Sequence, residues 1–349
     1  MQTSNFVLVG VGNVGRRFLQ ILAQKEATLR DRLGLQLTPV AAVDSSGAAI
    51  NDAGLSIAEL LELKSSGRGV AAYPGCGIAG LRSLETLQRS KADLLVEASP
   101  VNLRDGEPGM SNVIWSLSHG LDVVTANKAP LVLAYQRLTA LAAEQKRTLL
   151  FSATVAGGLP TVNIGRRDLI AAKVLRVEGV FNSTTNYILM QMAEEGVSFE
   201  DALADAQRAG VAEADPSLDI DGWDAANKLV IVANSVLGMP ATLNDVSVQG
   251  IRGLKRAELL RATQAGRAIK LLATAEPAGD TYRLAVRPTE LPLEHPLARL
   301  AKWHMGVVYT TDVNGTITAI IHEEGPTATS GAVLRDVVHA VSARRGTTV

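Results

Sequence analysis

The sequence predicts an α/β protein in which a doubly wound parallel sheet is followed by a second, α+β domain. The chain has 349 residues, which is more than one compact core needs and fits two domains. Over the first 150 residues, short apolar runs alternate with helical stretches, the pattern of a parallel sheet with helical crossovers. Beyond about residue 150 the pattern changes to helices followed by hairpin-like strands.

The first domain begins with the apolar run "NFVLVG", which predicts a buried strand. Phe18, Leu19 and Leu22 then recur at helical spacing, and Gly34 predicts the end of that helix. The alternation continues in the same way. Strands are predicted over 5–10, 37–46, 92–99, 121–127 and 148–155, and helices over 15–34, 56–67, 109–120 and 135–147.

The second domain begins with a strand, a polar turn and a helix over 174–196. Ser198 and Gly210 are typical first and last residues of a helix, and a further helix is predicted over 223–238. Strand-like runs follow residue 268, and "VNGT" indicates a tight hairpin. We therefore expect domains at 1–150 and 151–326, with a C-terminal helix of about 327–349 packed back on the first domain.

Composition excludes several classes of protein. A net charge of −1 gives no general attraction for nucleic acid or an anionic membrane, so we expect neither as a partner. No apolar run approaches the roughly 18 residues of a membrane span, and the N-terminus lacks the pattern of a signal peptide. The single cysteine, Cys76, excludes an internal disulfide and favours a cytoplasmic setting. The five histidines show no metal-ligand spacing, which disfavours a metal hydrolase.

A glycine-rich turn connects the first strand to the first helix. Its sequence, "GVGNVG", places Gly10, Gly12 and Gly15 in G-x-G-x-x-G order, with Asn13 and Val14 between them. In this context the first glycine permits a tight turn, the second lets the backbone approach a pyrophosphate, and the third lets helix and strand pack closely. The turn therefore predicts a dinucleotide site at the helix N-terminus.

Three more residues are predicted to face the cofactor because they follow strands at the carboxyl edge of the sheet. Asp44 ends the second strand, where an acid can accept a hydrogen bond from the ribose 2′-hydroxyl. Its sequence context, "DSSG", contains no arginine for a 2′-phosphate, which favours NAD over NADP. Ser99 and Lys128 follow two later strands, although a solvated lysine is also common at such a position.

Residues 210–228, "GVAEADPSLDIDGWDAANK", place five carboxylates ahead of one lysine. By itself this could be a solvated acidic loop before a helix, because acids favour helix N-termini. Asp224 and Lys228 stand four residues apart on the predicted helix and therefore share one face.

Five stretches together resemble the homoserine dehydrogenase family, in matching order and over nearly the whole chain. They are "GVGNVG", "VVTANKAPL", "SATVAGGLPTV", "GVFNSTTNYIL" and, most specific, "AQRAGVAEADPSLDIDGWDAANKL". The resemblance implies a Rossmann-type domain and reversible hydride transfer between L-homoserine and L-aspartate 4-semialdehyde with NAD or NADP, in the biosynthesis of threonine, methionine and isoleucine. It implies a short form of the enzyme, with no C-terminal regulatory domain.

The resemblance also assigns roles within the acidic segment. Glu213 and Asp219 would hold the polar groups of the substrate, because a buried ammonium needs carboxylate partners. Asp224 would orient Lys228, our first choice for the acid that protonates the carbonyl oxygen and for the base in reverse. Lys128 is the second candidate for proton transfer. Two further residues, Thr184 and Gly210, are expected to line the substrate site.

Two features depart from the family pattern. The resemblance implies a monovalent cation, Na⁺ or K⁺, bound by the main-chain oxygens of Val155, Gly157 and Leu159, but Ser152 stands where relatives have a glutamate. Of a glycine-rich cofactor segment near the C-terminus, the chain retains essentially Gly325.

The family is typically dimeric, so we expect a homodimer that forms through the late hairpin "VVYTTDVNGTITAIIHE". Two alternatives stay open at this level. One is a related Rossmann dehydrogenase acting on another amino-acid-derived semialdehyde. The other is a non-catalytic dinucleotide-sensing protein, which would need neither Lys228 nor Lys128.

Overall fold

The computed structural model describes residues 1–344 of the chain. These residues form two compact units. The first unit comprises Met1–Gly158 and the chain from Gly325 onward, and the second unit comprises Leu159–Glu324.

The first unit contains a seven-stranded sheet in the order β4-β3-β2-β1-β5-β6-β7. Five of these strands, β2, β1, β5, β6 and β7, are parallel to one another, as the alternating sequence pattern predicts. The strands are β1 (Gln2–Val9), β2 (Leu35–Asp44), β3 (Gly47–Ile50), β4 (Gly77–Ala79), β5 (Leu94–Glu97), β6 (Asp122–Thr125) and β7 (Leu149–Leu150). The helices that connect them are α1 (Asn13–Leu33), α2 (Ile57–Ser65), α3 (Ser83–Arg89), α4 (Gly109–Ser118) and α5 (Ala129–Glu144).

Three details of the first unit differ from the sequence prediction. Strands β3 and β4, which were not predicted, form an antiparallel edge beside β2. The last strand stops at Leu150, because residues Ser152–Thr154 turn into a 3₁₀ helix. Helix α5 starts six residues earlier than the predicted 135, at Ala129, but a kink at Ala134 (φ −147°, ψ 32°) separates this first turn from the predicted helix.

The second unit contains a six-stranded sheet in the order β13-β12-β8-β10-β11-β9. Its neighbouring strands are antiparallel except for the parallel pair β11 and β9. The strands are β8 (Val174–Val180), β9 (Val246–Val248), β10 (Arg267–Ala278), β11 (Thr281–Pro292), β12 (His304–Thr311) and β13 (Thr316–His322). The last two form the hairpin that "VNGT" predicts, and the N–H of Thr311 donates to the carbonyl oxygen of Gly315 (2.9 Å).

Over residues 159–324 the second unit has six α-helices, and three of them, α7, α9 and α10, carry the predicted substrate residues Thr184, Asp219 and Asp224. The six are α6 (Thr161–Asn163, continued by a π-helical turn over Ile164–Asp168), α7 (Ser183–Glu194), α8 (Phe199–Arg208), α9 (Ser217–Ile220), α10 (Trp223–Ser235) and α11 (Arg256–Gln264). Helix α10 is buried along most of its length, which fixes the direction in which its few polar side chains point.

The last helix, α12 (Thr327–Ala343), belongs to the first unit and packs against α1. The hydroxyl of Ser330 donates to the carbonyl oxygen of Val14 (2.9 Å), and Val337 shares a core with Phe18. The helix was predicted over about 327–349, and residues 345–349 of that range lie outside the described residues. Within residues 1–344, the structure contains no helix with the length and apolar character of a membrane span.

Candidate active site

The glycine turn lies between the end of β1 and the start of α1. Gly10 has a φ of +91°, and a Cβ built on it would lie 2.2 Å from the carbonyl oxygen of Ala98. A Cβ on Gly15 would lie 2.0 Å from the carbonyl oxygen of Gly10. Both positions therefore need glycine for the fold itself.

Gly12 is different, because a Cβ there would meet nothing within 4 Å. This residue is the N-cap of α1, and no side chain caps the helix. Asn13, the first helical residue, is exposed, and Val14 is half-buried. The turn thus leaves an open space at the positive end of a 21-residue helix, which fits a bound pyrophosphate.

Asp44 ends β2, and its carboxylate already accepts four hydrogen bonds. Ser46 donates to Oδ1 from its N–H (2.9 Å) and its hydroxyl (2.6 Å). Lys64 Nζ (2.6 Å) and the N–H of Val70 (3.1 Å) donate to Oδ2. Burial favours a higher pKa for Asp44, but these hydrogen bonds outweigh it and hold the pKa below its usual value. A carboxylate has about four lone-pair sites, so a ribose hydroxyl must displace one of these donors.

Ser99 lies in a buried polar network at the ends of β5 and β6. Its N–H donates to Glu97 Oε1 (2.7 Å), and its hydroxyl accepts from Asn127 Nδ2 (3.1 Å). Glu97 is fully buried, and burial raises its pKa, although hydrogen bonds from Ser99 and Asn112 oppose the change. Asn127 also accepts the first N–H of α5, so the network fixes the start of the helix at which Lys128 stands.

In the second unit, the residues from three separate elements meet around Asn182. Lys228 Nζ lies 2.7 Å from Asp224 Oδ2, as their spacing on one helix predicts. The same ammonium donates to the carbonyl oxygen of Phe181 (2.6 Å). Asn182 Nδ2 donates to Asp224 Oδ2 (2.8 Å) and to Asp219 Oδ1 (2.7 Å). Asp219, Asp224 and Lys228 therefore form one cluster.

Burial and the nearby carboxylate of Asp224 raise the pKa of Asp219, while Lys228 and Asn182 oppose the change. Thr184 lies in the first turn of α7, and its hydroxyl donates to the carbonyl oxygen of Val211 (3.0 Å). This bond ties the helix to the loop that carries Glu213.

The remaining acids of the segment are arranged differently. Glu213 is exposed in the loop between α8 and α9, and its main-chain oxygen accepts from Gln207 Nε2 (3.2 Å). Gly210 has a φ of +70° and follows the end of α8. Asp215 accepts the N–H of Ser217 (3.1 Å), and Asp221 pairs with Arg252 (2.9 Å). The latter two acids thus serve local structure.

The segment predicted to bind a cation turns sharply at Ala156 and Gly157, whose φ values are 57° and 58°. The carbonyl oxygen of Leu159 already accepts the N–H of Thr161 (2.8 Å). Ser152 donates from its N–H (2.8 Å) and hydroxyl (2.7 Å) to Asp336 of α12. The structure thus ties Ser152 to a buried carboxylate, and no group of three or more His, Cys, Asp or Glu side chains within residues 1–344 could hold a metal ion.

Gly325 has a φ of +69° and lies two residues before α12. The residues that sequence reasoning missed are Lys64, Glu97 and Asn127, and Asn182 was included only as part of a polar turn. That turn, "NSTTN" over 182–186, was expected to line the substrate site, with Thr184 as its main residue.

Comparison with known proteins gives a consistent result for both parts of the chain. Residues 10–152 match the family model "Homoserine dehydrogenase, NAD binding domain", and residues 160–338 match the model "Homoserine dehydrogenase". The chain is 35% identical to homoserine dehydrogenase of Methanocaldococcus jannaschii, over 96% of this chain and 98% of the relative. It is 33% identical to the NAD(+)-dependent homoserine dehydrogenase of Pseudomonas canavaninivorans, over 97% and 96% of the two chains.

A solved structure agrees with these relatives. The structure of a hyperthermophilic archaeal homoserine dehydrogenase in complex with NADPH matches with a TM-score of 0.85 and 27% identity. The match covers 97% of this chain and 98% of the other.

Proposed function

Because the chain belongs to the homoserine dehydrogenase family, we propose a mechanism in which its own residues carry out that family's reversible hydride transfer. The protein is an NAD(P)-dependent oxidoreductase that interconverts L-homoserine and L-aspartate 4-semialdehyde. This places it in the biosynthesis of threonine, methionine and isoleucine. The predicted family, fold class and activity are therefore confirmed, and neither alternative interpretation is needed.

The first unit is proposed to be the dinucleotide-binding domain, and the second the substrate domain. The open space at Gly12 supports placement of the pyrophosphate against the first N–H groups of α1. Asp44 and Ser99 are proposed to contact the cofactor beyond the ends of β2 and β5, and Gly325 is proposed to border it. When bound, the nicotinamide accepts a hydride from homoserine or donates one to the semialdehyde.

The observation that carries the mechanism is the fixed position of Lys228. An ammonium group has three N–H bonds. Two are directed to Asp224 Oδ2 (2.7 Å) and to the carbonyl oxygen of Phe181 (2.6 Å). The third is proposed to donate to the reacting oxygen of the substrate. In the reductive direction Lys228 protonates the carbonyl oxygen as hydride arrives, and in the oxidative direction it removes the hydroxyl proton.

The other acids of the cluster are proposed to bind the substrate. Asp219 and Glu213 can accept from its α-ammonium or its hydroxyl, and Thr184 and Gly210 border the same region. Because Glu213 is exposed, its carboxylate is available to a ligand without the loss of a buried contact.

Replacement of each candidate lysine tests the mechanism directly. Lys228→Ala should lower kcat for homoserine oxidation by roughly 10²–10⁴-fold, the usual contribution of a general acid or base, with cofactor affinity unchanged. Lys128→Ala is the matched comparison, and under this mechanism it should affect mainly the Michaelis constants. If Lys128→Ala abolishes turnover and Lys228→Ala does not, Lys128 transfers the proton.

A monovalent cation is proposed to bind the main-chain oxygens of Val155, Gly157 and Leu159, because such oxygens suit hard cations. The bond from Thr161 to the oxygen of Leu159 must lengthen or be shared for an ion to bind there. Activity measured with Na⁺, K⁺ and a bulky organic cation at equal ionic strength tests it.

We also propose that the enzyme is a cytoplasmic homodimer that pairs along β13. This strand is at one edge of its sheet, and Ile320 on it is 48% exposed. An apolar edge strand without Lys or Pro is a template for pairing with a second copy. Light scattering after gel filtration should give twice the 36.7 kDa chain mass, and Ile320→Lys should reduce it. Ile170→Lys, at an 83% exposed position outside the hairpin, is the control.

A further inference from the structure

Asn182 begins the polar turn "NSTTN" and connects the two carboxylates of the candidate site. Building on the function proposed above, we propose that Asn182 is a positioning residue that holds Asp219 and Asp224 in one arrangement beside Lys228. It lies directly after β8 and is the N-cap of α7. The residue is 6% exposed.

The amide of Asn182 can face only one way. Its Oδ1 accepts the N–H of Thr185 (2.9 Å) at the start of α7. An N–H donor cannot pair with a second N–H, so Nδ2 must be the atom that faces the acids. Its two N–H groups are directed to Asp219 Oδ1 (2.7 Å) and Asp224 Oδ2 (2.8 Å). The helix cap therefore fixes the direction of both hydrogen bonds to the carboxylates.

The two carboxylates need such a donor because they share a buried region. Asp224 is 6% exposed, and burial together with Asp224 raises the pKa of Asp219. Like charges at close range repel unless donors or cations lie between them. Lys228 contacts Asp224, and the amide of Asn182 contacts both acids. Asn182 thus gives Asp219 a donor that keeps it beside Asp224 without a second cation.

The same short segment also positions the amine. The carbonyl oxygen of Phe181 accepts from Lys228 Nζ. The side chain of the next residue, Asn182, donates to both Asp219 and Asp224. The end of β8 therefore sets the geometry of the lysine and of its two acidic neighbours together. A change at Asn182 should alter substrate turnover more than cofactor binding.

The test is Asn182→Asp, which keeps an oxygen to cap α7 but removes the N–H donors. The introduced carboxylate would face Asp219 and Asp224, with Lys228 as the one cation of the cluster. At pH 8 we expect kcat/KM for homoserine to fall by at least roughly 100-fold, as for the loss of two hydrogen bonds to charged groups. As the pH falls toward 6, the introduced carboxyl group takes up a proton and can donate to one acid. The ratio of variant to wild-type kcat/KM should then rise about tenfold.

Two further variants separate positioning from helix capping. Ser198→Ala removes the cap of α8, where the hydroxyl accepts the N–H of Asp201 (3.1 Å), and should keep wild-type turnover and pH profile. Asn182→Ser keeps a capping oxygen but lacks the second donor, so turnover should fall without recovery at low pH. It carries the test if Asn182→Asp does not fold.

The inference is overturned if a folded Asn182→Asp or Asn182→Ser protein keeps wild-type kcat/KM between pH 6 and 8. It is also overturned if the loss is independent of pH and equals that of Ser198→Ala. The outcome is separate from that for the proposed function. If wild-type protein does not oxidise homoserine, the proposed function is wrong. If Lys228→Ala is fully active, the cluster is not catalytic and the inference about Asn182 is overturned with the mechanism.

Discussion

Gly12→Ala should abolish tight cofactor binding while leaving the fold intact. Gly12 has a φ of −85°, which alanine adopts, and the new Cβ would meet no protein atom within 4 Å. Such a replacement changes the free energy of unfolding by less than about 1 kcal/mol and can raise it, because alanine restricts the unfolded chain. The methyl group would occupy the space in which we place the pyrophosphate.

The expected loss of affinity follows from the hydrogen bonds at the start of α1. Displacing a phosphate from one or two backbone N–H groups removes charge-assisted hydrogen bonds of about 1.5–3 kcal/mol each. This corresponds to a dissociation constant for the cofactor that is roughly 10-fold to more than 100-fold higher. Isothermal titration calorimetry with NAD⁺ and NADP⁺ measures it directly.

Gly10→Ala is the matched control for the effect of a methyl group on folding. Its φ of +91° is strained for alanine, and the Cβ would lie 2.2 Å from the carbonyl oxygen of Ala98. We therefore expect a loss of stability greater than about 3 kcal/mol, as for other large changes at special backbone positions. If Gly12→Ala binds the cofactor as tightly as the wild type, or unfolds as Gly10→Ala does, the assignment of the open space is wrong.

Three other variants test contacts that only the structure reveals. Lys64→Met removes a cation that lies 2.6 Å from Asp44, so kcat/KM with NADP⁺ should fall about tenfold more than kcat/KM with NAD⁺. Equal losses with the two cofactors would contradict a role of Lys64 in cofactor choice. Burial lowers the pKa of Lys270 to about 8, so unfolding takes up a proton between pH 8 and 10.5. The free energy of unfolding should therefore rise with pH over this range, by on the order of 3 kcal/mol. Lys270→Met should abolish that rise in denaturant titrations, and an unchanged slope would contradict it. Asp336→Ala leaves the N–H and hydroxyl of Ser152 without their carboxylate, so the free energy of unfolding should fall by about 2 kcal/mol. A melting temperature within about 1 °C of the wild type would refute this expectation.

The comparison of Asp224 with Asp219 shows how much of the candidate site the sequence could predict. The contact between Asp224 and Lys228 follows from helical spacing, since residues four apart lie on one face. The contact between Asn182 and Asp219 joins residues 37 positions apart, and no local period predicts it. Asp44 was predicted at the end of its strand, but its partner Lys64 lies 20 residues later on another element.

The fold divides in a similar way. Alternation of apolar runs and helices was sufficient to predict the parallel strands of the first unit, and the turn sequence "VNGT" predicted the late hairpin of the second. The antiparallel edge formed by β3 and β4 was missed, because "GAAI" and "GIA" are too short to carry a periodic signal. The helix predicted from residue 135 corresponds to the part of α5 that follows a kink at Ala134, and the preceding turn, which begins at Ala129, was missed.

The sequence by itself determined the glycine turn, the order of the elements and the pairing of Asp224 with Lys228, because each depends on residues close together along the chain. The tertiary structure alone decided which donors surround Asp44, that Ser152 binds a carboxylate 184 residues away, and that Asn182 lies between two acids. Hydrogen bonds reach about 3 Å, so contacts between distant segments form only where packing of the core brings their backbones together.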